Sequence, residues 1–288
     1  DTLAMYYNQD LLDASGVVEV PQYWNNDFQQ TVKKITKLDL KGNILQSGIA
    51  LGTARNIERF SDILSVLMIQ NGAIMMSDSG QILFNTVPAN SQNKNYNPGQ
   101  MALRFYNDFA DPVKEVYSWN TDFPNSIDAF ASGQVAIIFA YSYHLPTIKS
   151  KAPKLNFLIA PLPQIEGSIS PINFANYWVE VVSKKSKYKN EAWNFIQYMT
   201  RAEQAKTYLD KTKKPTALRS LISEQKKDLD LEVFADQVLT ARSWYKGKNP
   251  ILMEGFFSEM VEKSLEDTEG KGMEIMNLYA NRVQQTIR

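Results

Sequence analysis

The sequence predicts an α/β fold. Short apolar runs that read as strands alternate with amphipathic helical stretches early in the chain, and the later part is mostly helical. The length, 288 residues at 44% hydrophobic and 22% charged, is enough to bury a large core and to form two lobes.

The elements follow in order. Leu3 to Tyr7 reads as an opening strand, and Asn8 to Leu12 starts a short helical turn that ends near Gly16. Val20 to Trp24 leads into a helix over Asn26 to Leu38 with Phe28, Val32 and Ile35 on one face. Ile44 to Leu51 is a strand that ends at Gly52, and the loop Thr53 to Asn56 opens a strongly periodic helix. Phe60, Ile63, Leu64, Leu67 and Met68 mark the buried stripe of that helix, and Asn71-Gly72 closes it. The polar stretch from Ile82 to Asn97 is a surface loop or small hairpin, and Gln100 to Phe109 is a helix. A short helix capped by Ser126 carries Ile127, Ala129 and Phe130 and stops at Gly133. The apolar strand Val135 to Ala140 follows, then the aromatic turn Tyr141-Ser142-Tyr143-His144, and a second strand, Leu155 to Ala160, ending in Pro161-Leu162-Pro163. Tyr177 to Ser183 reads as a strand and Lys187 to Leu209 as a long helix with Ala192, Phe195, Ile196 and Met199 inward. Leu231 to Tyr245, Glu254 to Glu266 and Met273 to Ile287 read as three further helices.

Composition excludes several classes of function. Lys+Arg and Asp+Glu are both 31, so no net charge marks the chain for nucleic acid or an anionic membrane. There is no cysteine, which rules out disulfides, thiolate metal sites and a Cys nucleophile. His144 is the only histidine, so neither a His-based triad nor a multi-His metal site fits within the chain; it reads as a helix-start residue without a role. No apolar run is long enough to cross a bilayer, and the opening residues do not read as a signal peptide. A chain that enters a strand almost at Asp1 is expected to be a fragment or a processed product.

No G-x-S-x-G elbow, H-E-x-x-H or Walker loop occurs. Glu58, Asp62, Glu180 and Glu254 lie beside predicted strand ends or helices, but none has a recognisable catalytic spacing, and surface ion pairing is the plainer role. The aromatic side chains are more informative. The end of a buried strand is where an α/β sheet opens a ligand crevice, and Tyr143 lies just past one. Ring faces stack on the apolar C–H faces of sugars while neighbouring amide and charged groups bond the hydroxyls. Tyr7, Tyr143, Tyr177, Trp178, Trp244, Phe256 and Phe257 are the candidate rings, each weighed against simple core packing. Asn56, Arg55, Arg59, Asn173 and Asn176 are the candidate polar partners.

Five segments together resemble the extracellular solute-binding proteins of ABC importers, family 1, the sugar binders that include maltose-binding protein. They are Tyr7-Asn8-Gln9-Asp10-Leu11-Leu12 before Gly16; Pro21 to Phe28; Ala129-Phe130-Ala131-Ser132-Gly133-Gln134-Val135-Ala136-Ile137; Ala160-Pro161-Leu162-Pro163; and Ser183-Lys184-Lys185-Ser186 with Glu191-Ala192-Trp193-Asn194-Phe195-Ile196. The resemblance implies a type II periplasmic-binding-protein-like fold of two α/β lobes, here mostly the C-terminal lobe plus part of the N-terminal lobe, with roughly the first third of a full binder missing. Residues 1–172 would be the C-terminal-lobe α/β segment, 173–213 a segment of the other lobe, and 214–288 a helical return. It also implies capture of a sugar or oligosaccharide without catalysis or cofactor, and delivery to an ABC permease by a monomer in the periplasm or on the cell surface as a lipoprotein. By that matching Tyr143 falls where such binders stack on sugar, the loop Ala54 to Ser61 contributes polar contacts, Phe256 or Phe257 supplies another ring, and Asn173 to Trp178 re-enters the cleft. That last segment is usually Gly-rich in the family and is bulky here. The alternatives are a carbohydrate-active enzyme using two of the carboxylates, a same-fold binder of an amino acid, polyamine or metal complex, and an inactive remnant.

Overall fold

The computed structural model describes residues 1–287. The chain opens with β1 (Ala4–Asn8) and α1 (Gln9–Ala14), where the Asn8 side chain accepts a hydrogen bond from Leu11 N. The next helix, α2 (Asn26–Ile35), is capped by Asn25 and buries Phe28, Val32 and Ile35. It stops short of the expected Leu38 because β2 (Lys37–Leu38) leaves the helix to pair antiparallel with β3 (Ile44–Ile49). Then come α3 (Phe60–Gln70), α4 (Pro98–Asp108), α5 (Ser126–Ala131), β4 (Val135–Ala140), one 3₁₀ turn (Ser142–His144), α6 (Leu145–Lys151) and β5 (Phe157–Ala160). The cap of α5 is Asn125 rather than Ser126, since the Asn125 side chain accepts from Ile127 N. The helix releases the chain through Gly133 at φ 72°, a left-handed conformation that suits glycine.

The main sheet runs β2-β3-β4-β1-β5. β3 and β4 are parallel, while β1 is antiparallel to both β4 and β5, with Ala4 opposite Ala140 and Met5 opposite Ala160. The carboxyl ends of β3, β4 and β5 and the amino end of β1 therefore share one edge. All six residues of β4 are buried, as their unbroken apolar run requires of a central strand. Around the sheet, α3 packs on α4 and α4 on α11 (Pro250–Leu265), which pairs along its length with α12 (Gly272–Ile287).

At the same edge the chain crosses itself three times. β6 (Asn173–Phe174) pairs parallel with β7 (Ala241–Arg242), Leu3 N donates to Phe174 O at 3.0 Å, and Ala175 N donates to Arg242 O at 2.8 Å. This three-segment neck leads into a serial stack of α7 (Lys189–Met199), α8 (Ala202–Thr212), α9 (Arg219–Gln225) and α10 (Glu232–Gln237), each packed on the next. The inner end rests on the body, with Phe234 buried against Tyr6.

Several expectations are corrected here. Tyr177 to Ser183 forms no strand: it lies beyond the β6 ladder with no strand beside it among the described residues, and Val179 and Val181 are exposed. The expected helix Lys187 to Leu209 is two helices. It breaks where Thr200 Oγ1 bonds back to Ile196 O and Arg201 turns extended. Its apolar face is not inward, for α7 buries no residue and Phe195 is 60% exposed. The expected helix Leu231 to Tyr245 shortens to α10 and a 3₁₀ turn, because Ala241-Arg242 is drawn into the neck.

Candidate functional site

The shared edge of the sheet holds a connected group of charged and aromatic side chains. β4 is followed at once by Tyr141, whose hydroxyl donates to Asp62 Oδ2 at 2.9 Å; the backbone carbonyl of Tyr141 accepts from the Tyr6 hydroxyl at 3.0 Å. Two residues further on, the turn presents Tyr143. Its ring lies parallel to Tyr141 (centroids 5.6 Å apart, 14° between planes) and against His144 at 4.2 Å, and it is 43% exposed. Half-burial pushes the Tyr143 phenol up to about 12; Arg59 opposes this, and Glu58, Asp62 and Glu254 add to it.

The loop after β3 ends at Arg59, which stands before α3 in the left-handed region at φ 57°. A non-glycine residue held there carries backbone strain of about 1 kcal/mol, and its neighbours fix it in place. Arg59 Nε and Nη2 both donate to Asp62 Oδ2, at 2.9 and 2.7 Å, and Nη2 also reaches Glu254 Oε1 at 3.2 Å. Lys246 donates to Asp62 Oδ1 and, at 3.2 Å, to Glu254 Oε1, which also accepts from Ser61 Oγ. Asp62 is wholly buried in the first turn of α3, where the helix dipole favours a carboxylate. Burial alone would lower the Arg59 guanidinium, but Asp62 and then Glu254 carry it above its ordinary value. The network holds two cations and two anions. Among the described residues, Arg59 Nη1 and Glu254 Oε2 have no partner within it. On the other side of the Tyr143 turn, His144 Nε2 lies 3.7 Å from Glu58 Oε1, and the imidazole holds the Glu58 carboxyl below the usual range.

The structure brings Tyr143 and Arg59 together at this edge and distributes the other expected residues elsewhere. Asn56 sits in the same loop, but its amide donates to Asn120 O and Phe123 O and accepts from Thr53 and Trp119, so its side chain is spent on bracing the loop. Asn173 is buried in the neck between Thr240 and Gln164. Asn176 holds the neck through its backbone bond to Asp1 O. Tyr177 and Trp178 lie beyond the neck and are open to solvent, at 62% and 97%. Trp244 packs against the core, 5.9 Å from Phe257, with Nε1 donating to Ser65 Oγ. Phe256 faces α12, under the guanidinium of Arg282. Phe257 is fully buried against Phe84, and a ring with no exposed surface touches no solute. Arg55 pairs with Glu262 on the outer surface.

Lys246 and Tyr141 are the members that sequence reasoning missed. Lys246 meets Asp62 across 184 residues, so no spacing signals it, whereas Arg59 and Asp62 stand three apart at a helix start. His144, read as having no role, supports one face of Tyr143. Away from the edge, a groove between α8 and α9 has the floor Leu209, Leu221 and Leu231, and its rim charges pair with one another, as in Lys206–Glu224 at 2.8 Å. Among the described residues no His, Asp and Glu group is placed to hold a metal ion, and no helix is long and apolar enough to cross a membrane.

Residues 1–206 match the family model for bacterial extracellular solute-binding proteins. No curated protein matches the chain by sequence. Among solved structures, the chain is similar to a cyclic α-maltosyl-1,6-maltose binding protein from Arthrobacter globiformis, at 18% identity and TM-score 0.72, with 99% of this chain and 70% of that one covered. The sugar-binding protein MalE from Xanthomonas citri is similar at 18% identity and TM-score 0.72, covering 99% and 68%. UgpB from Mycobacterium tuberculosis, in complex with glycerophosphocholine, is similar at 16% identity and TM-score 0.69, covering 99% and 68%. At these identities the likeness speaks to fold, and the fold is the type II periplasmic-binding-protein fold.

Proposed function

Because the chain belongs to the bacterial extracellular solute-binding protein family, we propose that it captures a carbohydrate for an ABC permease, as a monomer and without catalysis. The observation that carries this reading is the half-exposed Tyr143 ring at the strand-end edge, with Arg59 and Glu254 close by. A pyranose stacks its apolar face on such a ring, and a hydroxyl both donates to a carboxylate and accepts from a guanidinium. The family is extracellular; a lipid anchor on the cell surface is part of the proposal.

The lobe division is proposed in the same spirit. Residues 1–172 form the body with the sheet, 173–213 belong to the opposing lobe, and 214–288 return. The exposed rings of Tyr177, Trp178, Tyr188, Trp193 and Phe195 support it, since a face this apolar suits contact with further protein.

A binder of a small anion is the second reading, favoured by the nearby guanidinium. Against it, Arg59 is already committed to Asp62 and Glu254. The enzyme alternative meets a similar difficulty, because Asp62 is sealed under three donor groups.

Calorimetric titration of the 288-residue chain with neutral mono- and oligosaccharides tests the proposal. A bound sugar that is recovered unchanged, with binding abolished in Tyr143→Ala, is the expected result. No heat from any sugar, alongside binding of an anionic solute, overturns it.

A further inference from the structure

We propose that the four-charge network beside Tyr143 sets the charge of the solute that this chain accepts, and that Lys246 is the residue holding that setting at neutral. The inference rests on the carbohydrate reading of the Tyr143 wall. It concerns charge selection at that wall, which the stacking ring by itself does not determine.

Arg59 and Lys246 supply two positive charges, and Asp62 and Glu254 supply two negative ones. Three of the four keep partial contact with solvent: Arg59 at 22%, Lys246 at 18% and Glu254 at 29% side-chain exposure. Asp62 has none and serves as the inner counter-ion. Within the network, Glu254 Oε1 accepts three bonds, from Arg59, Lys246 and Ser61. The unspent valences are Glu254 Oε2 as an acceptor, and Arg59 Nη1 and the third N–H of the Lys246 ammonium as donors. An acceptor beside donors matches a neutral hydroxylated ring, whose hydroxyls both donate and accept. An anionic solute would have to compete with two carboxylates for Arg59, and a cationic one would face two fixed cations.

Lys246 decides the balance because it is the only member from outside the α3 and α11 starts. It arrives from the neck, four residues after Arg242, with its ammonium 6.0 Å from the Phe174 ring centroid. Without it the network would carry one excess negative charge, and without the Glu254 charge one excess positive charge. A purely structural role predicts that both changes weaken all solutes alike. A charge-setting role predicts shifts of opposite sign.

The test uses three probes that share one ring and differ in charge: glucosamine, glucose and glucuronate. Each is titrated near pH 6 and low ionic strength into the parent chain, Lys246→Met and Glu254→Gln, with binding followed by saturation-transfer NMR and folding by far-UV circular dichroism. The parent is expected to favour glucose. Lys246→Met is expected to move the glucosamine-to-glucuronate preference about tenfold toward the cation, and Glu254→Gln about tenfold toward the anion. Both shifts shrink in high salt. If one variant fails to fold, the sign of the other decides. Glucose binding that needs Tyr143 while the preferences stay fixed, or move the same way in both variants, overturns this inference and leaves the carbohydrate reading standing. No binding of glucose or its two derivatives to the folded parent overturns both.

Discussion

Replacing Asp62 by Asn is the sharpest probe of the candidate site. The side chain is fully buried and accepts from Arg59 twice, from Tyr141 at 2.9 Å and from Lys246. Asp62→Asn keeps the volume, removes the charge and turns one acceptor oxygen into a donor facing other donors. Removing one charge of a buried pair costs about 3–5 kcal/mol. Arg59 and Lys246 are about one-fifth exposed and keep Glu254, so water and that carboxylate offset part of the loss. The expected cost is about 3 kcal/mol, a large share of the ~5–15 kcal/mol that holds a domain together. Lys246→Met alone should cost about 1–2 kcal/mol, since Asp62 keeps Arg59 and Tyr141. The double variant should be more stable than the sum predicts by about 1–2 kcal/mol, because the two changes remove the same contact. Urea unfolding at neutral pH, read from the fluorescence of buried Trp24 and Trp119, measures all three. A loss below about 1 kcal/mol for Asp62→Asn, or additivity within about 0.5 kcal/mol, refutes the reasoning.

Other outcomes follow from the same geometry. Tyr143→Ala should abolish detectable binding of a stacking sugar while leaving the unfolding midpoint nearly unchanged, checked by titration and urea melt on one preparation. Phe257→Ala should do the reverse in stability, costing about 3–5 kcal/mol through a cavity against Phe84 and Trp244. Tyr143 has its phenol raised to about 12, so the folded state binds that proton more tightly than the unfolded chain does. Its titration leaves stability untouched below about pH 10 and lowers it as pH rises from there toward 12, and the 295 nm phenolate titration of Tyr143→Phe should lack a late-ionising step seen in the parent. Limited proteolysis should cut first within residues 177–201, where α7 buries nothing, and leave the sheet intact; early cleavage between β3 and α3 would contradict the packing described.

Local patterns in the sequence carried most of the body. Val135 to Ala140 reads as a buried strand because six apolar residues between Gly133 and an aromatic turn leave little else to form, and the strand has those bounds. Tyr143 was legible for the same reason, as the first side chains past a central strand open onto the sheet edge. Reading failed where the deciding contact is remote. The apolar stripe on Phe195 and Ile196 gives a helix correctly, but periodicity says only that a face is apolar, not what covers it. The family resemblance offers Phe256 or Phe257 as a ring at a helix start, yet a half-turn of rotation on α11 decides between cleft and core, and Phe257 faces the core. Lys246 lies in an ordinary Lys-Gly-Lys stretch, and only the neck brings it to Asp62. Asn125 and Ser126 are both good caps, and the choice between them was fixed by Ser126 donating its backbone N–H to Asn56 O and accepting Glu58 N on its hydroxyl.

The neck also has a mechanical consequence. Three chain segments passing side by side act as the leaves of a strap hinge. Bending across them turns a few backbone dihedrals and keeps the lateral bonds from Leu3 N to Phe174 O and from Ala175 N to Arg242 O. Twisting along them shears those bonds, which restricts the hinge to roughly one soft direction. Lys246 stands four residues from the outer leaf and is tethered to Asp62, which ties the strap to the charge network beside Tyr143. The neck and the candidate site are thus joined through one short arm, Arg242 to Lys246.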